Sequence, residues 1–158
     1  MAGEARALTP MPIALLRALQ VLGALWALPV SVLGLALGAA GMAAGARARF
    51  SGRDLALVFR RFPWGPGGAL TLGNVILHTG ESMDRRCNTY AHDAGHAVEP
   101  QIVLADHERA HVYQYMALGV LFLPLYALGG GVSARNPFER AADRYAHTGR
   151  GWWPWSRA

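Results

Sequence analysis

Two long charge-free runs frame a polar middle. Residues 18–46 contain no Asp, Glu, Lys or Arg and are rich in Leu, Ala, Val and Gly. As one helix this stretch would be ~43 Å long, more than the ~30 Å hydrocarbon core of a bilayer requires. It reads as an N-terminal transmembrane helix, tilted or kinked at Pro29, where the missing amide frees a carbonyl. Halves split at Pro29 are each too short to span. The rival reading is a cleaved signal peptide, with Arg6 and Arg17 as its charged region and Ala44-Gly45-Ala46 as a small-residue cleavage site. Its usual hydrophobic region of about 7–15 residues is far shorter than this run, which favours a retained anchor. Residues 116–134 form a second charge-free run, interrupted by Pro124 and Gly129-Gly130-Gly131, all poor in a helix interior. It reads equally as a second membrane segment, a re-entrant helix or the core of a small domain.

Between the runs the pattern changes. Residues 54–62 alternate and carry β-branched and aromatic side chains, and Pro63-Trp64-Gly65-Pro66-Gly67-Gly68 is a turn signal. Residues 69–78 then read as one strand, with Leu70, Leu72, Asn74, Ile76 and His78 sharing a face. Together they predict a small antiparallel sheet. Residues 79–100 are polar and read as irregular loop. Residues 101–123 have the length and pattern of a helix, and a further helix runs from Asn136 to about His147, before Gly149 and Gly151. The end, Trp152-Trp153-Pro154-Trp155-Ser156-Arg157, suits either a membrane interface or a packed tail. The expected class is α+β: a small sheet with helices over residues 47–158, behind an anchor region over residues 1–46.

Composition narrows this picture. A chain of 158 residues is one domain. All 15 basic residues are arginine, and the net charge of +5 is spread along the chain without a basic run. No nucleic-acid module is recognisable, so nucleic acid is not an expected partner. Arg47, Arg49, Arg53, Arg60 and Arg61 follow the first apolar run, whereas Arg6 and Arg17 precede it. The positive-inside rule then puts residues after 47 on the cytoplasmic side of a cell membrane. Cys87 is the only cysteine, which rules out an intramolecular disulfide and a cysteine-rich metal knuckle.

The candidate chemistry lies at His107-Glu108-Arg109-Ala110-His111, an HExxH motif. Residues four apart share a helix face, so His107 and His111 can present both imidazoles to one ion. Two imidazoles and a carboxylate make a common catalytic zinc site with a fourth position open for water, and Glu108 is placed to take a proton from that water. Apolar flanks (Ile102, Val103, Leu104, Ala110, Val112, Tyr113) suit a helix through a core. Glu139 lies far enough downstream for the chain to return antiparallel, and Asp143 shares its helical face. A zinc-bound imidazole usually donates its second N–H to an acceptor, a role open to Asp143. A duller reading also fits: Asn136, Pro137 and Glu139 make a capping-box pattern, so Glu139 would only satisfy a helix terminus. His92 and His96 repeat the i, i+4 spacing in loop-like surroundings and read as surface histidines. Tyr113, Tyr145, His147 and His78 are the open choices for an oxyanion donor.

HExxH followed by ExxxD on a later helix is similar to the glutamate zincins (gluzincins), metallopeptidases whose third zinc ligand is a glutamate. The run from His107 to Gln114, then Asn136-Pro137-Phe138-Glu139-Arg140, also resembles small bacterial membrane proteins with HExxHxxQ and NPFE segments. The resemblance covers residues 102–145. It implies a minimal zincin-like domain in which His107, His111 and Glu139 bind Zn2+, Glu108 is the catalytic base and Asp143 supports a ligand. It also implies a strand edge that binds peptide by backbone pairing, as at residues 69–78. Arg109 departs from the pattern, which usually has an uncharged residue there. The expected function is membrane-associated hydrolysis of a peptide or membrane-protein substrate, the site sitting near the bilayer surface. The alternative is a non-catalytic membrane protein whose zinc site is structural or degenerate and which acts by protein contact.

Overall fold

The apolar run 18–46 is not one helix. The structure, a computed structural model, describes residues 11–96 and 98–156, so Arg6 and Arg157 lie outside the described residues. In chain order the elements are α1 (Ile13–Trp26), α2 (Leu28–Ala43), β1 (Arg47–Ser51), β2 (Ala56–Arg60), β3 (Ala69–Leu72), β4 (Val75–His78), β5 (Arg86–Cys87), α3 (Tyr90–Asp93), β6 (Ile102–Val103), α4 (Leu104–Leu118), a 3-10 turn (Gly119–Leu121), α5 (Phe122–Leu128) and α6 (Pro137–Thr148). The axes of α1 and α2 are bent by 68°. The break falls at Ala27 rather than at Pro29, because a proline ring clashes with the carbonyl four residues earlier and is tolerated in a helix's first turn. Pro29 accordingly sits in the first turn of α2.

The main sheet has strand order β1-β2-β4-β3. It is mixed rather than antiparallel: β1/β2 and β3/β4 pair antiparallel, but β2 and β4 run parallel. Residues 69–78, read from the sequence as one strand, are a hairpin. Leu72 pairs with Val75 across a two-residue Gly73-Asn74 turn, and Gly73 takes φ +62, a backbone conformation glycine adopts without Cβ strain. Asn74 is a turn residue whose amide nitrogen Nδ2 donates to the Leu55 carbonyl at 2.8 Å.

Helices cover both sheet faces. Ala56, Val58 and Ile76 pack with Leu104, Ala105 and Val112 on the α4 side. On the other side Phe59, Val75 and Leu77 meet α2. That contact depends on a stripe of Gly34, Gly38 and Gly41: a Cβ at these positions would run into Val75, Phe59 and Phe62 respectively. α1 packs against α4, with Gly23 seated on Met116. The stretch Leu104–Leu128, and α1 with α2 taken together, are each long and apolar enough to cross a membrane by length and composition.

α6 returns along α4 and is the helix most extensively packed on it. The Asn136 side chain caps α6 by accepting from the Phe138 amide at 3.0 Å, and Gly149 ends it in the left-handed conformation. The tail is packed: Arg144 donates to the carbonyls of Gly151 and Trp153, and Trp155 meets Phe138 edge to face.

Candidate metal centre

α4 carries His107 and His111 one turn apart, and the α4–α6 packing brings Glu139 against both. The two Nε2 atoms are 3.1 Å apart. Glu139 Oε2 lies 3.1 Å from His107 Nε2 and 3.6 Å from His111 Nε2. Ligands at zinc-like bond lengths of about 2.0–2.1 Å in a tetrahedron are about 3.3–3.4 Å from one another. The triangle of 3.1, 3.1 and 3.6 Å therefore has the edges of one tetrahedral face. These three buried side chains form a group able to hold a metal ion. Among the described residues Glu139 Oε2 is buried without a hydrogen-bond donor. A carboxylate oxygen in that state is costly unless a cation meets it.

Each ligand has a supporting partner. His111 Nδ1 faces Gln114 Oε1 at 2.8 Å, and Gln114 Nε2 donates to the carbonyls of Phe138 and Trp152. With its NH2 committed to carbonyls, Gln114 can only accept from the imidazole. That fixes the proton on Nδ1 and turns the Nε2 lone pair toward Glu139. His107 Nδ1 lies 2.9 Å from Asp143 Oδ1, close in distance though out of line for a strict hydrogen bond. Tyr126, on α5, donates to Glu139 Oε1, leaving Oε2 for the cluster. Gln114 and Tyr126 were not picked out as site residues from sequence. Gln114 was visible as a polar residue three positions after His111 on the same face; Tyr126 carried no comparable signal.

Burial pushes the Glu139 carboxyl up, but His111 and His107 beside it outweigh that and hold it well below the usual carboxylate range. Burial likewise favours neutral imidazoles. At His107 the neighbouring Asp143 and Glu139 reverse this and raise the pKa well above its ordinary value, and Glu139 raises His111. These shifts make the cluster a trap for positive charge, and its three side chains are able to hold a metal ion.

Glu108 is not part of that trap. It points across the same cavity, its Oε2 accepting from Thr71 Oγ1 of β3 at 2.6 Å. The cavity, about 130 Å³, is bordered by Thr71, Tyr90, Glu108, Phe122 and Tyr126 as well as the cluster. A second cleft continues from Tyr90, His107 and Glu108 along Ala69 toward Asn88 and Asp93.

The remaining candidates are drawn elsewhere. Arg109 faces away from the cavity: its Nε donates to Asp54 Oδ1 at 3.0 Å and its Nη2 to Asp106 Oδ1 at 2.8 Å. It ties α4 to the β1–β2 turn and has no part in the site. Glu139 does not act as the helix cap, since Asn136 does that alone. Of the four oxyanion candidates, Tyr113 and Tyr145 meet edge to face. His78 is buried between the carbonyls of Gly68 and Ser82, and His147 borders a different pocket. Tyr90 takes their place at the cavity. Burial, reinforced by the charges of Glu139 and Glu108, pushes its hydroxyl up to about 12, so it stays a donor at neutral pH. His92 is used locally: Nδ1 meets Thr89 in a capping box and Nε2 meets the Glu99 carbonyl.

Compared with family models, curated proteins and solved structures, the chain matches none.

Proposed function

We propose that the chain is a membrane-associated, zinc-dependent peptidase of the gluzincin type, with residues 47–158 as a minimal zincin-like domain. The observation that carries this reading is the triangle of His107, His111 and Glu139 with the orphaned Glu139 Oε2 at one corner. When bound, zinc supplies Lewis acidity, polarising a scissile carbonyl and bringing the pKa of a water at the fourth position to about 7.

The chain's own residues account for the rest. Glu108 is the general base: held on the cavity wall by Thr71, it takes the proton of the attacking water and passes it to the leaving amine. Tyr90 offers its hydroxyl to the developing oxyanion. β3 is an edge strand of the sheet, and its Ala69, Leu70 and Thr71 border the cavity. An extended peptide can pair with that edge and bring a backbone carbonyl past Glu108. Leu123 and Val132 on the rim favour an apolar or membrane-embedded substrate.

Zinc content of the purified chain tests the ligand assignment: stoichiometric metal in the wild type, lost in His107→Ala. Metal retained unchanged in that variant overturns it. Glu108→Gln is expected to keep zinc and lose turnover by about 10²–10⁴-fold. One observation favours a second reading, a structural zinc site in a non-catalytic membrane protein: the ligands are nearly enclosed, with His107 8% and Glu139 3% exposed. On that reading Glu108→Gln changes nothing but the hydrogen bond to Thr71.

A further inference from the structure

We propose that α1 and α2 do not cross the membrane but lie in one leaflet, with both ends of the pair on the same side. The inference rests on the membrane association just proposed and replaces a span with an in-plane wedge.

Depth excludes a span. α2 lies along the sheet for most of its length: Gly34 sits on Val75, Gly38 on Phe59 and Gly41 on Phe62. Near its start the Ser31 hydroxyl accepts from the Asn74 amide of the β3–β4 turn at 2.9 Å. From Ser31 to Gly41, α2 therefore runs beside the sheet or the residues that directly continue its strands. If α2 stood across a bilayer, the sheet would stand in the hydrocarbon beside it. The open edges of β1 and β3 would then have no water to satisfy them, and Arg47, Arg49 and Asp54 would be carried in as well. Hydrocarbon does not tolerate open edges of this kind. The same reasoning holds for α4, which bears the metal cluster, Asp106 and Arg109 and is packed on the sheet's other face.

Length and shape point the same way. At 14 and 16 residues the helices are ~21 and ~24 Å long, each short of the ~30 Å core. The 68° bend keeps them from acting as one straight rod.

The pair also leaves apolar surface uncovered. Leu15, Leu22 and Leu25 of α1, and Leu33 and Leu37 of α2, are exposed, with Trp26 at the bend. An apolar surface of this extent on a packed fold marks a contact with lipid or protein. Lipid is the occupant that charge favours. Arg17, Arg47 and Arg49, on α1 and just after α2, are exposed, and none pairs with a carboxylate among the described residues. Arginines beside an apolar helix face suit anionic headgroups over a shallowly buried helix.

The test uses the full chain in the Cys87→Ser background, with a single cysteine at Met11→Cys or Ala44→Cys, in sealed vesicles of phosphatidylcholine and phosphatidylglycerol. A membrane-impermeant maleimide is expected to modify both positions from the same side. Modification from opposite sides overturns the proposal, as does failure of the chain to float with the vesicles. Spin labels at Leu22 and Leu33 are expected to be accessible to oxygen dissolved in lipid. Labels that are shielded and broadened by one another would show that a second copy covers the face, which also overturns it. Zinc is measured on the same samples. Stoichiometric zinc with opposite-side labelling removes the wedge and leaves the site; same-side labelling without zinc does the reverse.

Discussion

The metal centre and the outer face of α1–α2 invert the usual arrangement of side chains in opposite senses. At the centre, polar groups are buried: His107, His111, Gln114, Asn136 and Glu139 are all largely removed from water. On the outer face, large apolar groups are exposed: Leu22 is 62% and Leu33 56% accessible. Buried polar groups and exposed apolar patches are the two departures that carry functional information, because neither follows from folding alone. They also differ in how they are maintained. Gln114 is held by two carbonyls and Asn136 by three backbone contacts; only Glu139 Oε2 and His107 Nδ1 in this group lack a hydrogen-bond partner among the described residues. Among the described residues, Leu22 and Leu33 have most of their surface uncovered. The first region is specified from within and the second from outside.

If that contrast is right, the largest effect on stability comes from the buried polar side, and away from the metal. Arg109→Met removes the partner of Asp54, whose side chain is 8% exposed. Breaking a buried pair on one side costs about 3–5 kcal/mol, and some remaining solvent access puts this case at the lower end. A lowered urea midpoint with unchanged zinc stoichiometry is the expected result. Loss of zinc before unfolding would place Arg109 in the site after all.

Next is Gln114→Ala, which frees the His111 Nδ1 proton. The loss of an outer partner of a metal histidine is expected to weaken zinc affinity by about 10–100-fold, measured by competition with a chelator. Asp143→Asn should fall in the same range through His107. Unchanged affinity in both would mean that the imidazoles are oriented by packing alone.

How far these regions can be read in the sequence follows from the same contrast. The imidazole pair was legible because helix geometry fixes i, i+4 neighbours whatever surrounds them. Glu139 was ambiguous because a glutamate at the third helical position serves equally as a cap. Only the approach of α6 to α4 selects the ligand position, and that is tertiary. Arg109 looked out of place because the motif was read from its ligand face; on the opposite face it meets Asp54, 55 positions away. The hairpin at Gly73-Asn74 was hidden because the run reads as one continuous alternation; the two-residue turn shifts that alternation by one, so Leu70 and Leu72 share a face with Leu77 and Val75 rather than with Ile76 and His78. The parallel β2/β4 pairing had no local signature at all. As for the apolar run, its composition was plain, but the glycine stripe that lays α2 along the sheet shows its purpose only against Phe59 and Val75.

That stripe gives the third prediction. Gly38→Ala puts a methyl into the Phe59 ring, and overpacking of this kind costs about 1–3 kcal/mol. Better helix propensity offsets up to about 1 kcal/mol of this, and the direct contact with the Phe59 ring places the cost toward the upper end. The expected result is a lower urea midpoint, with zinc stoichiometry retained in the folded fraction. A stabilised variant would mean that α2 stands off the sheet, and the depth argument against a span would lose its footing.

The smallest effect on the fold is the sharpest on the comparison. Leu33→Ser sits on the outer face of α2, one residue from the glycine stripe, at a side chain left 56% exposed by the fold. In detergent its unfolding midpoint should stay within about 0.5 kcal/mol of the wild type, as for other surface substitutions. On vesicles the same change removes buried hydrocarbon worth about 1.5–3 kcal/mol per large side chain, so partitioning should fall by roughly tenfold or more. The two measurements separate because most of this leucine's surface faces outward from the fold. A Leu33→Ser variant that unfolds early in detergent would assign this face to the core, and the apolar surface would then be a packing surface rather than a docking one.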